Sequence, residues 1–548
     1  MRLKNTLRRY RELTMFTRRY TTLARILIIA LALAVFLSAC GITETDTESD
    51  GSGITSTDIS GSVYVAIPEN VSDNPLKTKN VDMLNFESLI FEGLIYIDND
   101  GSFKSQLAET WSVDADGKTW TFSLRQGIKW HGDNGEFKAS DVIFTLDTLA
   151  NLSTDDSVYA GINDIIESYE AEGDYKVKIV TKSVNNSILY HLNFPIIPKS
   201  YYQSGFDSKK YIGTGAYQVS KSDDTGITLE VNESWWKTKP VSIKDIVGYI
   251  VGGEEEELNL YEAGVLDIAT ISKLASSQYK NEGVTNVTSY MTQYYTCLVP
   301  NFQNEYLSDV SIRKAIAYSI DRSNIISNVL LGNGVATDLP IPPDSWLYDQ
   351  KNTIYEYNLQ QAETLLNGLG YTERDEETGI LKNKVRNSGI TLNLLVLESD
   401  SEKYLIDLAE IIKEDLLAAG IEVNIEAKSF SSYKSALDNK EFDLAICTFY
   451  LDKNPDLSAF MNSDGSLNYS GYSNSAVTSL IENCRKAVLD ADFENAYEAL
   501  GAQFTSDLPH IPLYFRTYSL LSRASIENIT GLRELNIFSS IVDWNVIS

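Results

Sequence analysis

Residues 390–449 constrain the fold most, because strand and helix patterns alternate along this segment. An amphipathic helix is predicted over residues 404–419, and Gly420 ends it. The predicted strands around it are residues 390–397, 421–427 and 442–449. Strands that alternate with helices form a parallel sheet, so this part of the chain is predicted to be α/β.

A second informative stretch, residues 107–144, predicts an antiparallel hairpin followed by a helix. Ala115-Asp116-Gly117 supplies the residues of a tight turn. After the turn, apolar and polar residues alternate from Trp120 to Arg125, which is the period of a half-buried strand. Ser140 or Asp141 is expected to cap the helix that follows. A small α+β unit is therefore predicted here.

Short motifs within residues 107–144 occur in a fixed order: Leu107-Ala108-Glu109-Thr110-Trp111, Asp116-Gly117, Leu124-Arg125, Trp130-His131 and Ala139-Ser140-Asp141-Val142. They resemble the signature of the family 5 extracytoplasmic solute-binding proteins, the oligopeptide and dipeptide binding proteins of ABC importers. Lys138 departs from the family pattern, which often has a capping Thr there. Further similar landmarks follow at residues 213–217, 232–236, 264–268, 309–322 and 508–514.

The chain has 548 residues, which is too long for one ordinary core, so two or three domains are expected. The resemblance implies an α/β, two-lobe periplasmic-binding-protein-like fold of type II, the large peptide-binding class, with an extra α+β subdomain in the first lobe. The implied first lobe covers residues 61–298, with the subdomain at about 91–190. Residues 299–505 would form the second lobe, and residues 506–548 would return to the first.

The N-terminal residues 1–39 are predicted to be a lipoprotein signal peptide. A basic segment precedes an apolar run at 26–37, and Leu37-Ser38-Ala39-Cys40 resembles a bacterial lipobox. Cleavage would leave Cys40 for lipid attachment, with residues 40–60 as a flexible tether. We therefore expect an extracytoplasmic protein, lipid-anchored to the outer face of the bacterial cell membrane or in the periplasmic space. A plain signal peptide or an N-terminal membrane anchor is the alternative.

Charge and composition argue against several classes of function. A formal net charge of −30 disfavours nucleic acid as a partner. None of the three histidines, His131, His191 and His510, belongs to a catalytic or metal-binding motif, so we expect no enzyme, no cofactor and no metal site. Cys297, Cys447 and Cys484 are expected to be buried apolar residues. The acidic run at residues 254–257 is expected to be solvated.

The best candidate for a ligand site is the segment from Phe449 to Pro455, which follows a predicted strand. The resemblance implies that Asp452 pairs with the α-ammonium of a peptide, with Phe449 as the aromatic residue three positions before it. The alternative is that Asp452 only shapes a turn before Pro455. Further candidates are Tyr450, Tyr469, Tyr294 and Tyr295. No arginine stands out as a partner for a peptide carboxylate.

The resemblance implies a substrate-binding lipoprotein of an ABC transporter. As a monomer, it would capture short peptides outside the membrane and deliver them to a permease with its ATPase subunits. The peptide backbone would bind like an added strand between two lobes that close by a hinge motion. Two alternatives stay open. The same fold could bind a nickel chelate, a sugar or a signalling peptide, or the chain could be a surface lipoprotein for sensing or adhesion.

Overall fold

The structure is a computed structural model that describes residues 61–69, 71–153, 155–206, 210–274, 276–352, 354–451 and 454–547. The predicted signal peptide, Cys40 and the tether lie outside the described residues, and so does Asp452. Within these ranges, no helix combines the length and the apolar character needed to cross a membrane.

The strands and helices are numbered separately in chain order. The strands are β1 (Ser62–Pro68), β2 (Ile95–Ile97), β3 (Phe103–Ser105), β4 (Ala108–Val113), β5 (Thr119–Leu124), β6 (Ile166–Ala171), β7 (Lys176–Thr181), β8 (Tyr217–Asp223), β9 (Gly226–Val231), β10 (Asp245–Val251), β11 (Ile268–Ile271), β12 (Thr285–Pro300), β13 (Gly334–Ala336), β14 (Tyr371–Arg374), β15 (Leu381–Asn383), β16 (Ile390–Leu397), β17 (Ile421–Lys428), β18 (Leu444–Tyr450), β19 (Ile511–Arg523), β20 (Ile526–Glu527) and β21 (Asn545–Val546). The α-helices are α1 (Val81–Glu87), α2 (Ala139–Leu149), α3 (Ile162–Ile165), α4 (Ile188–His191), α5 (Lys199–Tyr202), α6 (Glu254–Glu262), α7 (Val310–Ser319), α8 (Arg322–Asn324), α9 (Leu359–Gly368), α10 (Tyr404–Ala418), α11 (Phe430–Asp438), α12 (Ser458–Met461), α13 (Ser475–Lys486) and α14 (Asp490–Asp507).

The first lobe contains a sheet of order β1-β10-β9-β8, in which β1 runs parallel to β10. A separate antiparallel sheet, β4-β5-β7-β6, forms the predicted α+β unit. The predicted hairpin is confirmed, since Val113 pairs with Trp120 across its turn. Asp116 fixes that turn by accepting the N–H groups of Lys118 and Thr119 at 2.8 and 2.9 Å.

Helix α2 begins earlier than predicted. Its N-cap residue is Lys138, so the prediction that Ser140 or Asp141 is the cap was wrong. Asp141 acts from the third helical position instead, where one carboxylate oxygen accepts the Lys138 N–H at 2.9 Å. Its other oxygen accepts the Lys199 N–H, also at 2.9 Å. A side chain inside the first turn thus satisfies the free N–H groups of two segments.

A further sheet has the order β11-β19-β12-β18-β16-β17, with β13 paired to β19, and its strands β18, β16 and β17 lie in the second lobe. β16 runs parallel to β17 and to β18, so the α/β prediction for residues 390–449 is confirmed. The carboxyl ends of these parallel strands lie at one edge of the sheet, where α/β folds bind their ligands.

Two long antiparallel strands, β12 and β19, connect the lobes. Tyr290 and Leu520 pack in the first-lobe core, whereas Leu298 and Leu513 pack in the second-lobe core. The ladder between the two strands shifts register after Met291, close to where the packing changes lobe. The predicted lobe boundaries at residues 299 and 506 stay predictions.

Both cores draw on distant parts of the chain. In the first lobe, Trp120 and Phe122 pack in the same cluster as Phe538 and Trp544 near the end of the chain. The three predicted buried cysteines are confirmed as buried: Cys297, Cys447 and Cys484.

One residue of the acidic run is not solvated. Glu257 of α6 is only 5% exposed and accepts the Thr270 N–H at 2.6 Å. Burial, together with repulsion from Asp82 and Glu254, raises the pKa of its carboxyl to about 8. The prediction of a solvated run was therefore wrong for Glu257, because the acidic helix packs one face against the first lobe.

Candidate functional site

Two of the predicted ligand contacts come together where β12 meets β18. The strand register places Tyr294 opposite Tyr450. Their ring centroids are 5.0 Å apart at an interplanar angle of 70°, which is an edge-to-face arrangement. Tyr450 is 50% exposed, so its ring is available to a ligand.

Two other predicted contacts lie on the opposite face of the same strands. Tyr295 is opposite Phe449, and both side chains are buried in the second lobe. Tyr295 packs against Phe515, and Phe449 packs against Phe460 at 5.1 Å. Successive side chains of a strand point to opposite faces, so Tyr294 and Tyr295 do not share a surface.

Tyr469, the remaining aromatic candidate, lies beside this buried pair. Its ring stacks on Phe449 with centroids 6.4 Å apart and an interplanar angle of 11°. The Lys434 ammonium lies 5.6 Å from the centre of the Tyr469 ring. Asp452, the predicted amine anchor, lies outside the described residues and stays a prediction.

The pair of Tyr294 and Tyr450 continues into a row along β12 and β19. Tyr518 lies 6.1 Å from Tyr294, and Tyr290 lies 6.4 Å from Tyr518. We call Tyr450, Tyr294, Tyr518 and Tyr290 the tyrosine row. Burial raises the pKa of Tyr290, Tyr294 and Tyr518, so these hydroxyls stay protonated at neutral pH and can donate as well as accept hydrogen bonds.

Arg516 of β19 places a guanidinium beside the tyrosine row. Its centre lies 5.6 Å from the Tyr518 ring and 5.2 Å from the ring of Tyr404, the first residue of α10. One Nη donates to the Tyr404 hydroxyl at 3.3 Å, and the other donates to the Ser272 carbonyl at 2.8 Å. These contacts hold the guanidinium between residues of both lobes.

Glu534 brings a carboxylate to the same place. It is 6% exposed, and its Oε2 accepts the Gln293 N–H at 3.0 Å. Glu534 adds to the effect of burial in raising the pKa of Tyr290 and Tyr294, so its charge is close to the tyrosine row. Gln293 in turn accepts the Leu451 N–H at 2.9 Å, which ties the candidate loop after β18 to β12.

A cavity of about 300 Å³ lies next to the row. The lining includes residues of β12, of the loop after β18, of residues 340–345 and of the C-terminal segment, among them Met291, Gln293, Tyr450, Pro455, Arg533 and Glu534. This volume is at the lower end of the range for small-molecule sites and can hold one or two amino-acid side chains.

The sequence prediction did not include Tyr518, Arg516 or Glu534. They are more than 200 residues from Tyr294 along the chain, so spacing alone could not group them with it. The sequence did contain one indication that Arg516 is unusual. Arg516 is a charged residue within residues 511–521, a segment that otherwise has the composition of a buried strand.

Two of the histidines have surroundings that fit structural roles. The Nδ1 of His131 accepts the Gly213 N–H, and its Nε2 lies 3.1 Å from the Gly215 carbonyl, so His131 fixes the paired-glycine loop. His510 is buried against Phe449 and Phe460. Across the described ranges, no cluster of His, Cys, Asp and Glu side chains has an arrangement suited to a metal ion.

The site as a whole offers aromatic faces, the Arg516 guanidinium and the Glu534 carboxylate within a small region between the lobes. Aromatic faces attract cations and apolar groups, a guanidinium pairs with carboxylates, and a carboxylate pairs with ammonium groups. The arrangement suits a ligand that carries both charges and some apolar surface.

Comparison with known proteins identifies the family. The model of the bacterial extracellular solute-binding proteins, family 5 Middle, matches residues 102–471. The oligopeptide-binding protein AppA of Bacillus subtilis (strain 168) is 25% identical over 541 residues, covering 94% of this chain and 97% of AppA. The periplasmic oligopeptide-binding protein OppA of Salmonella typhimurium (strain LT2) is 26% identical over 506 residues, covering 84% of this chain and 87% of OppA.

Solved structures share the fold. An ABC transporter substrate-binding protein from Sinorhizobium meliloti superposes with a TM-score of 0.74 at 19% sequence identity, covering 89% of this chain and all of that one. The two-lobe α/β fold with an extra subdomain, inferred from the sequence motifs, is therefore confirmed. From the extent of the family match and its agreement with the fold, the chain belongs to the bacterial extracellular solute-binding proteins of family 5.

Proposed function

We propose that this protein captures short peptides outside the membrane and delivers them to an ABC permease, whose ATPase subunits drive import. The observation that carries the proposal is the presence of both the Arg516 guanidinium and the Glu534 carboxylate beside the tyrosine row, at the connection between the lobes. Relatives that align along most of the chain are named oligopeptide-binding proteins, which supports the same class of ligand.

The side chains suggest how a peptide would be held. Tyr450 and Tyr294 would contact its apolar groups, and Asp452, two residues beyond Tyr450, would pair with the α-ammonium. The peptide backbone would add to the strands at the site, and this mode tolerates variable side chains. Closure of the lobes would then exclude water from these contacts.

We also propose that the protein is a monomeric lipoprotein anchored through Cys40, with residues 40–60 as its tether. A Cys40→Ser variant is expected to lose lipid attachment and to move from the membrane fraction to the soluble fraction. Retention of the variant in the membrane fraction, as an uncleaved chain, would favour an N-terminal membrane anchor instead.

Native mass spectrometry of the full chain, purified in detergent and then denatured, tests the cargo. A series of short peptide masses that Asp452→Ala abolishes would support peptide binding and the amine anchor. The matched control is Asp464→Ala, which changes an exposed carboxylate that follows α12.

Other outcomes of the same measurement would overturn the proposal. A single non-peptide mass, such as a nickel chelate or a sugar, would retain the fold and replace the substrate. A protein that is empty, and that gains no thermal stability from peptide mixtures, would point to sensing or adhesion.

A further inference from the structure

A first-lobe asparagine holds the end of a second-lobe helix. Asn186 lies between β7 and α4, and the neighbouring Ile188 packs in the first-lobe core. Its main-chain N–H donates to the Arg485 carbonyl at 2.9 Å, and its Nδ2 donates to the carbonyls of Cys484 and Ala487, both at 2.7 Å. Asn186 is only 5% exposed, so these bonds are shielded from water. The contact therefore crosses from one lobe to the other.

The three carbonyls belong to the end of α13. The last four carbonyls of a helix have no partner within the helix, so other groups must satisfy them. The Ala487 N–H is shared between the carbonyls of Asn483 at 3.1 Å and Cys484 at 3.4 Å. Asn186 adds the donors for the remaining carbonyls, and Val488 packs against the first-lobe core. This end of α13 is therefore held most firmly while the lobes touch here.

The Arg485 side chain carries this contact to a loop of the second lobe. Its Nε and one Nη both donate to Oδ2 of Asp456, at 2.9 and 2.7 Å, and the same Nη donates to the Ser458 hydroxyl at 2.9 Å. Oδ1 of Asp456 accepts the Ser458 N–H at 2.8 Å, at the start of α12. One arginine at the end of α13 thus holds the segment between β18 and α12.

The same segment lines the cavity beside the tyrosine row. Residues 454–457 all contribute to that lining, and so does Tyr190 of α4, the short helix that follows Asn186. The side chains of Arg485 and Asp456 are 38% and 23% exposed, and an ion pair with this exposure contributes little stability by itself. What the pair does contribute is a fixed position for this wall of the cavity.

We propose that Asn186 is a positioning residue for the loop at residues 454–457. It holds the end of α13 from the first lobe, and Arg485 and Asp456 transmit this hold to the loop. The inference rests on the proposed peptide-binding function and extends it. Contact between the lobes and the position of the loop stabilise each other, so a peptide that touches the loop is released slowly while the lobes stay in contact.

Hydrogen exchange, measured by mass spectrometry on the full chain in detergent without ligand, tests the connection. Asn186→Ala is expected to speed exchange about tenfold at residues 482–488 and at residues 454–461, because both segments lose their anchor. Arg485→Gln is expected to speed exchange at residues 454–461 and to leave residues 482–488 unchanged, because the bonds from Asn186 to the end of α13 remain.

Asn163→Ala is the matched control. The Asn163 Nδ2 donates at 2.8 Å to the carbonyl of Ala150, the residue that caps the end of α2, so this asparagine also holds a helix end but stays within the first lobe. Its removal is expected to leave exchange at residues 454–461 at the wild-type rate. Equally fast exchange of this segment in Asn163→Ala and Asn186→Ala would indicate general loosening and overturn the positioning role.

Peptide release gives a second readout. Stopped-flow tryptophan fluorescence with alanine peptides of two to five residues measures the association and dissociation rate constants. Asn186→Ala and Arg485→Gln are each expected to raise the dissociation rate constant about tenfold and to leave the association rate constant within about twofold of wild type. Because both residues act through one loop, the double variant is expected to dissociate about tenfold faster than wild type, whereas independent effects would multiply to about 100-fold.

The outcomes distinguish the inference from the function on which it rests. Independent effects in the double variant, or unchanged exchange at residues 454–461 in Asn186→Ala, would overturn the positioning role and leave peptide binding intact. The same holds if Asn186→Ala binds less peptide per mole of protein at unchanged rate constants, which is the sign of partial misfolding. Failure of every peptide to bind wild type would overturn the proposed function and the effect on release, while the exchange rates still decide whether Asn186 holds the loop.

Discussion

Replacing the buried acid of α6 tests the energetics of the first lobe. Glu257 has a folded-state pKa of about 8, compared with an ordinary value of 4.5. The folded protein therefore binds more protons than the unfolded chain between these two values, and its stability falls as pH rises through this window. Glu257→Gln removes the titrating group and keeps a side-chain oxygen that can accept the Thr270 N–H.

The magnitude follows from the width of this window. The interval from the ordinary pKa of 4.5 to pH 7 is about 2.5 pH units, and each unit changes the free energy of unfolding by about 1.4 kcal/mol. Glu257 therefore destabilises the folded state by up to about 3 kcal/mol at pH 7. The entropy of unfolding of a chain of this size is about 1 kcal/mol/K. We therefore expect Glu257→Gln to raise the melting temperature by about 3 °C at pH 7, and by nearly nothing at pH 4.5.

Differential scanning calorimetry at pH 4.5, 7 and 9 measures this difference. The control is Glu255→Gln, which changes an exposed carboxylate on the same helix and is expected to leave the melting temperature within about 0.5 °C of wild type. A gain from Glu257→Gln that is equal at all three pH values would refute the reasoning, because a change in packing would then explain it without titration.

Three further predictions concern the site, the second lobe and the thiols. Tyr294→Ala removes the centre of the tyrosine row and is expected to weaken peptide binding about tenfold in calorimetric titrations. The control variant is Tyr64→Ala, which removes one ring of an aromatic pair with Tyr249 and should leave the affinity unchanged. Arg322→Ala leaves Asp338 buried and unpaired, so urea denaturation should show a loss of about 3–5 kcal/mol, and an unchanged midpoint would contradict the buried ion pair. The described cysteines are buried, and burial raises their pKa, so Ellman's reagent should react with them only after denaturant is added, and fast labelling of the native protein would oppose this.

The sequence predicted the local elements well where periodicity and turn chemistry agreed. β16 has the predicted bounds, and α10 ends within one residue of the prediction, because an amphipathic helix and Gly420 mark that end clearly. The start of α2 was misplaced, because Asp141 works from inside the first turn and leaves the cap position to Lys138.

The candidate site was only partly accessible from sequence. Tyr450 was selected because it follows a predicted strand, and Tyr294 because it lies just before the predicted change of lobe. The pattern could not say that Tyr295 and Phe449 face the core. Arg516 escaped notice because its role depends on pairing between β12 and β19, which are separated by more than 200 residues. Long-range register therefore decides which side chains share the site.

The path of the chain also sets the order in which the protein can be built. The second lobe is continuous between the two long strands, whereas the first-lobe core includes Ile537, Phe538 and Trp544. During synthesis, these side chains leave the ribosome after the second lobe, so the first lobe cannot complete its core until the second lobe has been synthesised. Truncation before residue 537 would therefore damage the lobe whose synthesis begins first.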